Sequence, residues 1–219
     1  MNRYDLFESI SQGENGTMPE ENTLLVQVAN DIRRATERCK DDETESISCR
    51  DYVMELNERE KRAAESWAKE HETWMELTDI FSLGMPGPSG SESDTYLSTD
   101  GYIYKTNNML HCGDSIIKTI SKFIMYNNVF PDSAYSFVGF TGFVGRSVYP
   151  IVRQPFIHNS VPATRIEIDY FMAALGFERL GDGRYTNRKY MLKDILPKNV
   201  LKDEYGDFFA IDAEIELSL

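Results

Sequence analysis

Residues 190–216 read "YMLKDILPKNVLKDEYGDFFAIDAEIE", and this stretch decides how the chain is read. It holds Asp194, then Asn199 five positions on, then Asp212 eighteen positions after the first Asp, with hydrophobic pairs between them. Lys193 precedes Asp194, Ile195 follows it, Pro197 stands three after it, and Val200-Leu201 follow Asn199. Asp212 comes directly after an apolar strand, "FFAI". Carboxylate and amide oxygens in this order suit Mg²⁺, a hard cation commonly held by one or two carboxylates plus phosphate. Transfer of a phosphoryl group needs such ligands, a loop over the phosphates, a lysine upon them and a carboxylate that orients the nucleophile. Asn199 and Asp212 are the candidate metal ligands, and Asp194 the candidate base.

Outward from this stretch, the period of the sequence changes twice. Leu24, Val28, Ile32 and Ala35 fall at helical spacing, with Asn22 as N-cap. "CKDDETESISC" (39–49) breaks that helix, and a second runs from about Asp51 to Leu77 with the stripe Val53, Leu56, Ala63, Trp67 and Trp74. Residues 1–20 are polar and Gly-containing and read as poorly ordered. "LGMPGPSGSESD" (83–94) ends the helical pattern, and beyond it alternation takes over. "TYLS", "TDG" and "YIYKT" read as a hairpin with an Asp-Gly connection. Residues 114–128 read as a helix that buries Ile116, Ile120, Phe123 and Ile124, with Asp114 near its start. "SAYSFVGFTG" and "SVYPIVRQPFI" read as a strand pair, and "PATRIEIDYFMAALGF" as a helix that Gly176 ends. "RYTNRKYML", "NVLKD" and "FFAID" read as short strands, with "DEYGD" as a tight turn. The expected architecture is α+β: an antiparallel β-lobe and a minimal helical lobe over residues 80–219, preceded by an acidic helical segment, 1–79.

Charge supports that division. The chain of 219 residues carries a net charge of −13, and residues 1–80 hold 20 acidic against 10 basic side chains. So acidic a chain is a poor non-specific binder of nucleic acid or anionic membrane. No apolar run reaches the length of a membrane span, and the N-terminus has no secretory pattern. The three cysteines (Cys39, Cys49, Cys112) have no metal-ligand spacing and fit a reduced, cytoplasmic setting. The histidines (His71, His111, His158) lie far apart and read as surface or capping residues.

Residues from about 80 to 216 resemble the kinase-like domain found in polyvalent proteins of phages and other bacterial mobile elements. The resemblance is carried by "SGSESDTYLSTDGYIYKTNN", "YSFVGFTG", "VYPIVRQPFI", "ALGF" and, most specifically, "DILPKNVLKD…AIDAE". It implies a reduced protein-kinase-like fold, serine, threonine or tyrosine kinase activity, and the cofactors ATP and Mg²⁺. Lys105 in "YIYKT" would meet the α- and β-phosphates; read alone, it is a solvated edge lysine. Gly90 and "SESD" would cover the phosphates, although the G-x-G-x-x-G spacing is missing and a flexible linker is the alternative. Gln154 to Ile157, Phe156 among them, would be the hinge whose backbone meets the adenine; the alternative is a strand exit ended by Pro155.

Three departures from the kinase pattern stand out. The helix at 114–128 has no Glu to pair with Lys105. The D-F-G position reads Asp212-Ala213-Glu214, where Glu214 is either a second acidic ligand or a solvated charge. The chain ends at Leu219, so the reading expects no activation segment and no docking platform for a protein substrate. Two functions follow: an ATP/Mg-dependent phosphotransferase or nucleotidyltransferase, or a degenerate kinase-like module that holds a nucleotide or serves as an interaction unit. In the second, the acidic N-terminal helices contact a protein partner; by their pattern alone they pack on each other, on the next domain or on a partner.

Overall fold

A computed structural model describes residues 3–11, 18–38 and 48–218. The chain begins with three helices, α1 (Arg3–Ser11), α2 (Glu20–Arg38) and α3 (Cys49–Glu70). The break expected at "CKDDETESISC", and Cys39 with it, falls on residues 39–47, outside the described residues. Residues 3–11, read as poorly ordered, are instead helical and bury Phe7 and Ile10. The buried faces of α2 and α3 keep Val28, Ile32 and Trp67 of the apolar stripes in the sequence but turn away from Leu24 and Val53. Leu24 is 41% exposed and Val53 38%, while Leu25, Val28, Ala29 and Ile32 on α2, and Asn57, Glu60, Ala64 and Trp67 on α3, are buried. Asn22 is no N-cap. It lies inside α2, fully buried, and donates to Asn128 Oδ1 (2.9 Å) while accepting from Asn127 Nδ2 (2.9 Å).

The second helix also stops earlier than expected. Glu72 takes a left-handed φ of 56°, Thr73 N–H donates to Ala68 O (2.8 Å), and the chain turns into β1 (Trp74–Glu76). A short 3₁₀ stretch (Leu77–Leu83) leads to β2 (Met85–Pro86), the hairpin β3 (Ser93–Leu97) and β4 (Tyr102–Asn107), and helix α4 (Ile116–Val129). Two long strands follow, β5 (Ser136–Phe143) and β6 (Ser147–Pro155). These strands form a six-stranded sheet in the order β1-β5-β6-β4-β3-β2, antiparallel except for the parallel pair β1–β5. Gly139 makes that pair possible: a Cβ there would lie 2.1 Å from Thr73 O. The boundary expected at 79/80 thus falls between two strands of one sheet. A single hydrophobic core joins Phe7, Ile32 and Trp67 to Ile120, Phe137 and Phe140.

In the hairpin, Asp100 accepts from Tyr102 N–H (3.1 Å) and Tyr104 OH (2.7 Å), and Gly101 supplies the positive φ of 87°. Helix α4 is capped by Ser115, whose hydroxyl accepts from Lys118 N–H. It is buried nearly all round, as expected for a helix packed on α1 and α2 on one side and on the strands on the other.

The rest of the chain is compact and strand-rich. It comprises β7 (Val161–Pro162), α5 (Arg165–Ala174), β8 (Glu178–Gly181), β9 (Arg184–Thr186), β10 (Tyr190–Lys193), β11 (Val200–Lys202), β12 (Phe208–Ala210) and β13 (Glu214–Leu217). They make two small sheets, β13-β10-β9-β8 and β12-β11-β7. A capping box between Thr164 and Glu167 starts α5, and Gly176 with φ 78° follows its end. Asp203 to Asp207 form the tight turn between β11 and β12. No described helix is long and apolar enough to cross a membrane. Cys49 is exposed and Cys112 buried, and both are free thiols.

Candidate functional site

Strand β4 carries Lys105 in the middle of the large sheet, between Thr95 of β3 and Val152 of β6. It is therefore not an edge lysine. Its side chain is half-buried and runs toward the strand-rich part, where Nζ donates to Ile211 O (2.8 Å). The ammonium also lies 3.4 Å from Tyr135 OH and 5.2 Å from the centre of that ring. Burial pulls its pKa down to about 8, opposed by the Asp212 carboxylate nearby. Burial likewise pushes the hydroxyls of Tyr126 and Tyr135 well above the usual tyrosine range, with Asp212 adding to both shifts.

The dipeptide Ala210-Ile211 is held from three directions. Tyr126 of α4 donates its hydroxyl to Ala210 O (2.6 Å), Lys105 donates to Ile211 O, and Ile211 N–H donates to Asn199 O (2.9 Å). One peptide segment thus ties β4, α4 and the loop of Asn199 together, and it delivers Asp212 to a narrow cleft between them. Asp212 lines that cleft with Lys105, Lys122, Glu92, Glu214 and Tyr135. Its carboxylate is exposed and makes no hydrogen bond or ion pair with any described residue.

Asp194 and Asn199 sit together on the neighbouring loop. Asn199 is 5% exposed, and its Nδ2 donates to both the carbonyl and the carboxylate of Asp194, each at 2.8 Å. That leaves Asn199 Oδ1 with no hydrogen bond among the described residues. Asp194 adopts a left-handed φ of 57° and pairs with Lys198 (3.0 Å). Among the described residues, no three His, Cys, Asp or Glu side chains could hold a metal ion by themselves. By donor chemistry the Asp212 carboxylate and the Asn199 amide oxygen are hard ligands of the kind Mg²⁺ takes.

Asp194 and Asn199 lie on the adjoining loop and do not line the cleft, and neither do Gly90, Gln154 or Phe156. Gly90 has no positive φ, its N–H donates to Ser93 O (2.9 Å), and a Cβ there would meet only Ser93 O at 4.0 Å. A glycine is not required by the backbone at that position. Gln154 is buried, and its amide donates to Ser133 O (2.7 Å) and Tyr126 OH (3.2 Å), which supports α4 from below. Phe156 N–H donates to Gly101 O (2.9 Å), so the strand exit spends this amide within the protein. The sequence reading missed the charges at the cleft mouth. Glu92 lies 3.6 Å from Lys122 of α4 and 3.5 Å from His111, and His111 lies 3.1 Å from Glu214. Glu214 is therefore a residue of the cleft wall in contact with His111. The "SESD" loop had drawn attention as a phosphate cover, and its Glu was the available clue.

A family model described as a serine/threonine/tyrosine kinase found in polyvalent proteins matches residues 57–219. The match opens within α3 and takes in the large sheet, α4 and the strand-rich part, an α+β arrangement compatible with a kinase-like fold that α1 and α2 precede. No curated protein and no solved structure matches the chain.

Proposed function

Because this chain belongs to the serine/threonine/tyrosine kinases found in polyvalent proteins, we propose that its cleft binds ATP with Mg²⁺ and transfers a phosphoryl group to a hydroxyl acceptor. The observation that carries this reading is the Ile211 peptide, which links Lys105 to the Asn199 loop and sets an unpaired Asp212 carboxylate beside them. Lys105 binds the α- and β-phosphates. Asp194 orients the acceptor hydroxyl. Asp212 and Asn199 would hold Mg²⁺, which when bound would supply charge neutralisation at the phosphates. Half-burial of Lys105 strengthens its attraction for phosphate, because fewer waters screen it. The amide of Asn199, anchored through both its Nδ2 bonds to Asp194, keeps its oxygen in a fixed direction.

A second reading has a specific observation behind it. The cleft face of α4 offers Thr119, Lys122, Phe123 and Tyr126, and no carboxylate to pair with Lys105. A module that holds a nucleotide without transferring phosphate fits that face equally. Incubation of the full chain with ATP and Mg²⁺, followed by intact-mass spectrometry of the chain and of candidate hydroxyl acceptors, separates the two. Phosphate gained by either supports transfer; nucleotide binding without any product supports the holding module.

The family's home in polyvalent proteins makes a cytoplasmic protein of a bacterial mobile element or phage part of the same proposal. So is a protein partner on the exposed acidic faces of α2 and α3. The division into 1–79 and 80–219 stays a proposal carried by the change in charge, with one hydrophobic core drawing residues from both sides.

A further inference from the structure

The cleft holds two lysines in different situations. Lys105 donates to Ile211 O and is held in place by it. Lys122, half-buried on α4, faces Glu92 Oε1 at 3.6 Å, close enough to attract but too far to hydrogen-bond. Glu92 Oε1 is itself buried and without a hydrogen bond. The loop cannot easily follow its carboxylate closer, because Asn108 N–H holds Glu92 O (2.8 Å) and Asn108 Nδ2 holds Ser91 O (2.8 Å). A buried carboxylate oxygen left without a donor is costly, and Lys122, whose other neighbour is the Cys112 thiol, keeps donors to spare. An anion that brings several acceptor oxygens within reach satisfies Lys122 and releases the Glu92 side chain to turn toward water.

We infer that Lys122 is a second phosphate-binding cation of this cleft, and that Glu92 is the counter-ion it exchanges for the phosphates of a nucleotide. The inference rests on the nucleotide reading of the cleft. Helix α4 then supplies a positive charge where the kinase pattern supplies a negative one, and the acid comes from the covering loop. Glu92 acts as a competitor of the ligand. The two partners of one ion pair therefore have opposite effects on affinity, which a pair that only braces the fold would not show.

Calorimetry on the full chain with Mg-ATP, Mg-ADP and adenosine tests this, alongside thermal melts. Lys122→Met is expected to weaken Mg-ATP about ten-fold or more, the worth of one charge-assisted hydrogen bond, and to leave adenosine unchanged. Glu92→Gln is expected to tighten Mg-ATP. Lys122→Arg, which keeps the charge and the pair, is expected to bind nearly as the native chain does. The thermal melts show whether the Met variant fails to fold. In that case the inference rests on Glu92→Gln, and weaker binding by that variant overturns it. Equal losses for adenosine and Mg-ATP in Lys122→Met, or affinity unchanged in it, also overturn it. If the native chain binds none of the three ligands at millimolar concentration, the nucleotide reading falls and this inference with it. If the native chain binds and Lys122→Met binds equally, only the role of Lys122 falls.

Discussion

Replacing Glu60 by Ala should be among the most destabilising single changes in this protein. The Glu60 side chain is fully buried at 0% exposure and accepts three hydrogen bonds. They come from Arg3 Nη1 (2.8 Å), Ser115 Oγ (2.8 Å) and Ile117 N–H (3.3 Å). The last two lie at the N-terminus of α4, where a carboxylate also meets the favourable end of the helix dipole. Alanine leaves the Arg3 guanidinium buried with, among the described residues, Asn57 Oδ1 (2.7 Å) as its remaining side-chain acceptor, and leaves two donors of α4 unmet. Breaking a buried ion pair from one side costs about 3–5 kcal/mol. With a urea dependence of about 1–3 kcal/mol per molar, the unfolding midpoint should drop by about 1 M or more. Glu60→Gln, which keeps an oxygen for Ser115 and Ile117, should cost less. Arg3→Met should cost more than Glu60→Gln, because it leaves the Glu60 carboxylate buried with two donors and no counter-charge, and the double variant Arg3→Met/Glu60→Gln should lose less than the sum of its parts. Urea melts followed by circular dichroism measure all four. A loss below about 1 kcal/mol for Glu60→Ala, or strict additivity in the cycle, would refute the argument that this carboxylate fastens α1 and α3 to α4.

Lys105 should titrate near pH 8, and Asp212→Asn should lower that value further, because the carboxylate opposes the effect of burial. Since the folded chain releases this proton earlier than the unfolded one, Lys105 should add stability as pH rises from about 8 toward the ordinary lysine range, and Lys105→Met should remove that increment from the pH profile of urea melts. Asp212→Asn should weaken Mg-ATP binding, whereas Asp194→Asn should leave affinity nearly unchanged and lower turnover by about 10²–10⁴-fold, as read by calorimetry and phosphate transfer. Asn is the better replacement at 194, because the left-handed φ of 57° there suits Asp and Asn and strains Ala. Gly139→Ala should cost about 2–3 kcal/mol or more in a urea melt, because its Cβ would lie 2.1 Å from Thr73 O and force β1 off β5; a native-like melt would show that the β1–β5 contact is dispensable.

The alternating and helical periods made the later elements legible. The β3–β4 hairpin, α4, the β5–β6 pair and α5 lie within a few residues of where the pattern sets them, because their turns and caps are written in Asp100-Gly101, Ser115 and Gly176. The helical layer was misread for a definite reason: its inward face includes Arg3, Asn22, Asn57 and Glu60, polar residues that hydrophobicity assigns to the surface. Strand β1 was hidden because its pairing depends on Thr73 meeting Gly139, 66 positions away. At the site, the nearness of Asp194 and Asn199 was legible, since a separation of five residues on one loop leaves little choice. The commitments of Gln154 to Ser133 and of Phe156 to Gly101 were not, because a backbone acceptor leaves no mark in composition. Nor could Glu92, His111 and Lys122 be matched to one another before the fold brought a loop, a turn and a helix to one rim.

The junction at residue 211 has a consequence for how this protein tolerates genetic drift. Both bonds made there, to Lys105 and to Asn199, belong to the main chain. Almost any codon at 211 preserves them. Only proline removes the N–H, and a saturation library at this position should therefore return nineteen permissive or mildly affected residues, in which packing alone is graded, and one null. The connection between the two halves of the cleft is carried by atoms that every residue but one supplies, so a comparison of sequences would never single it out.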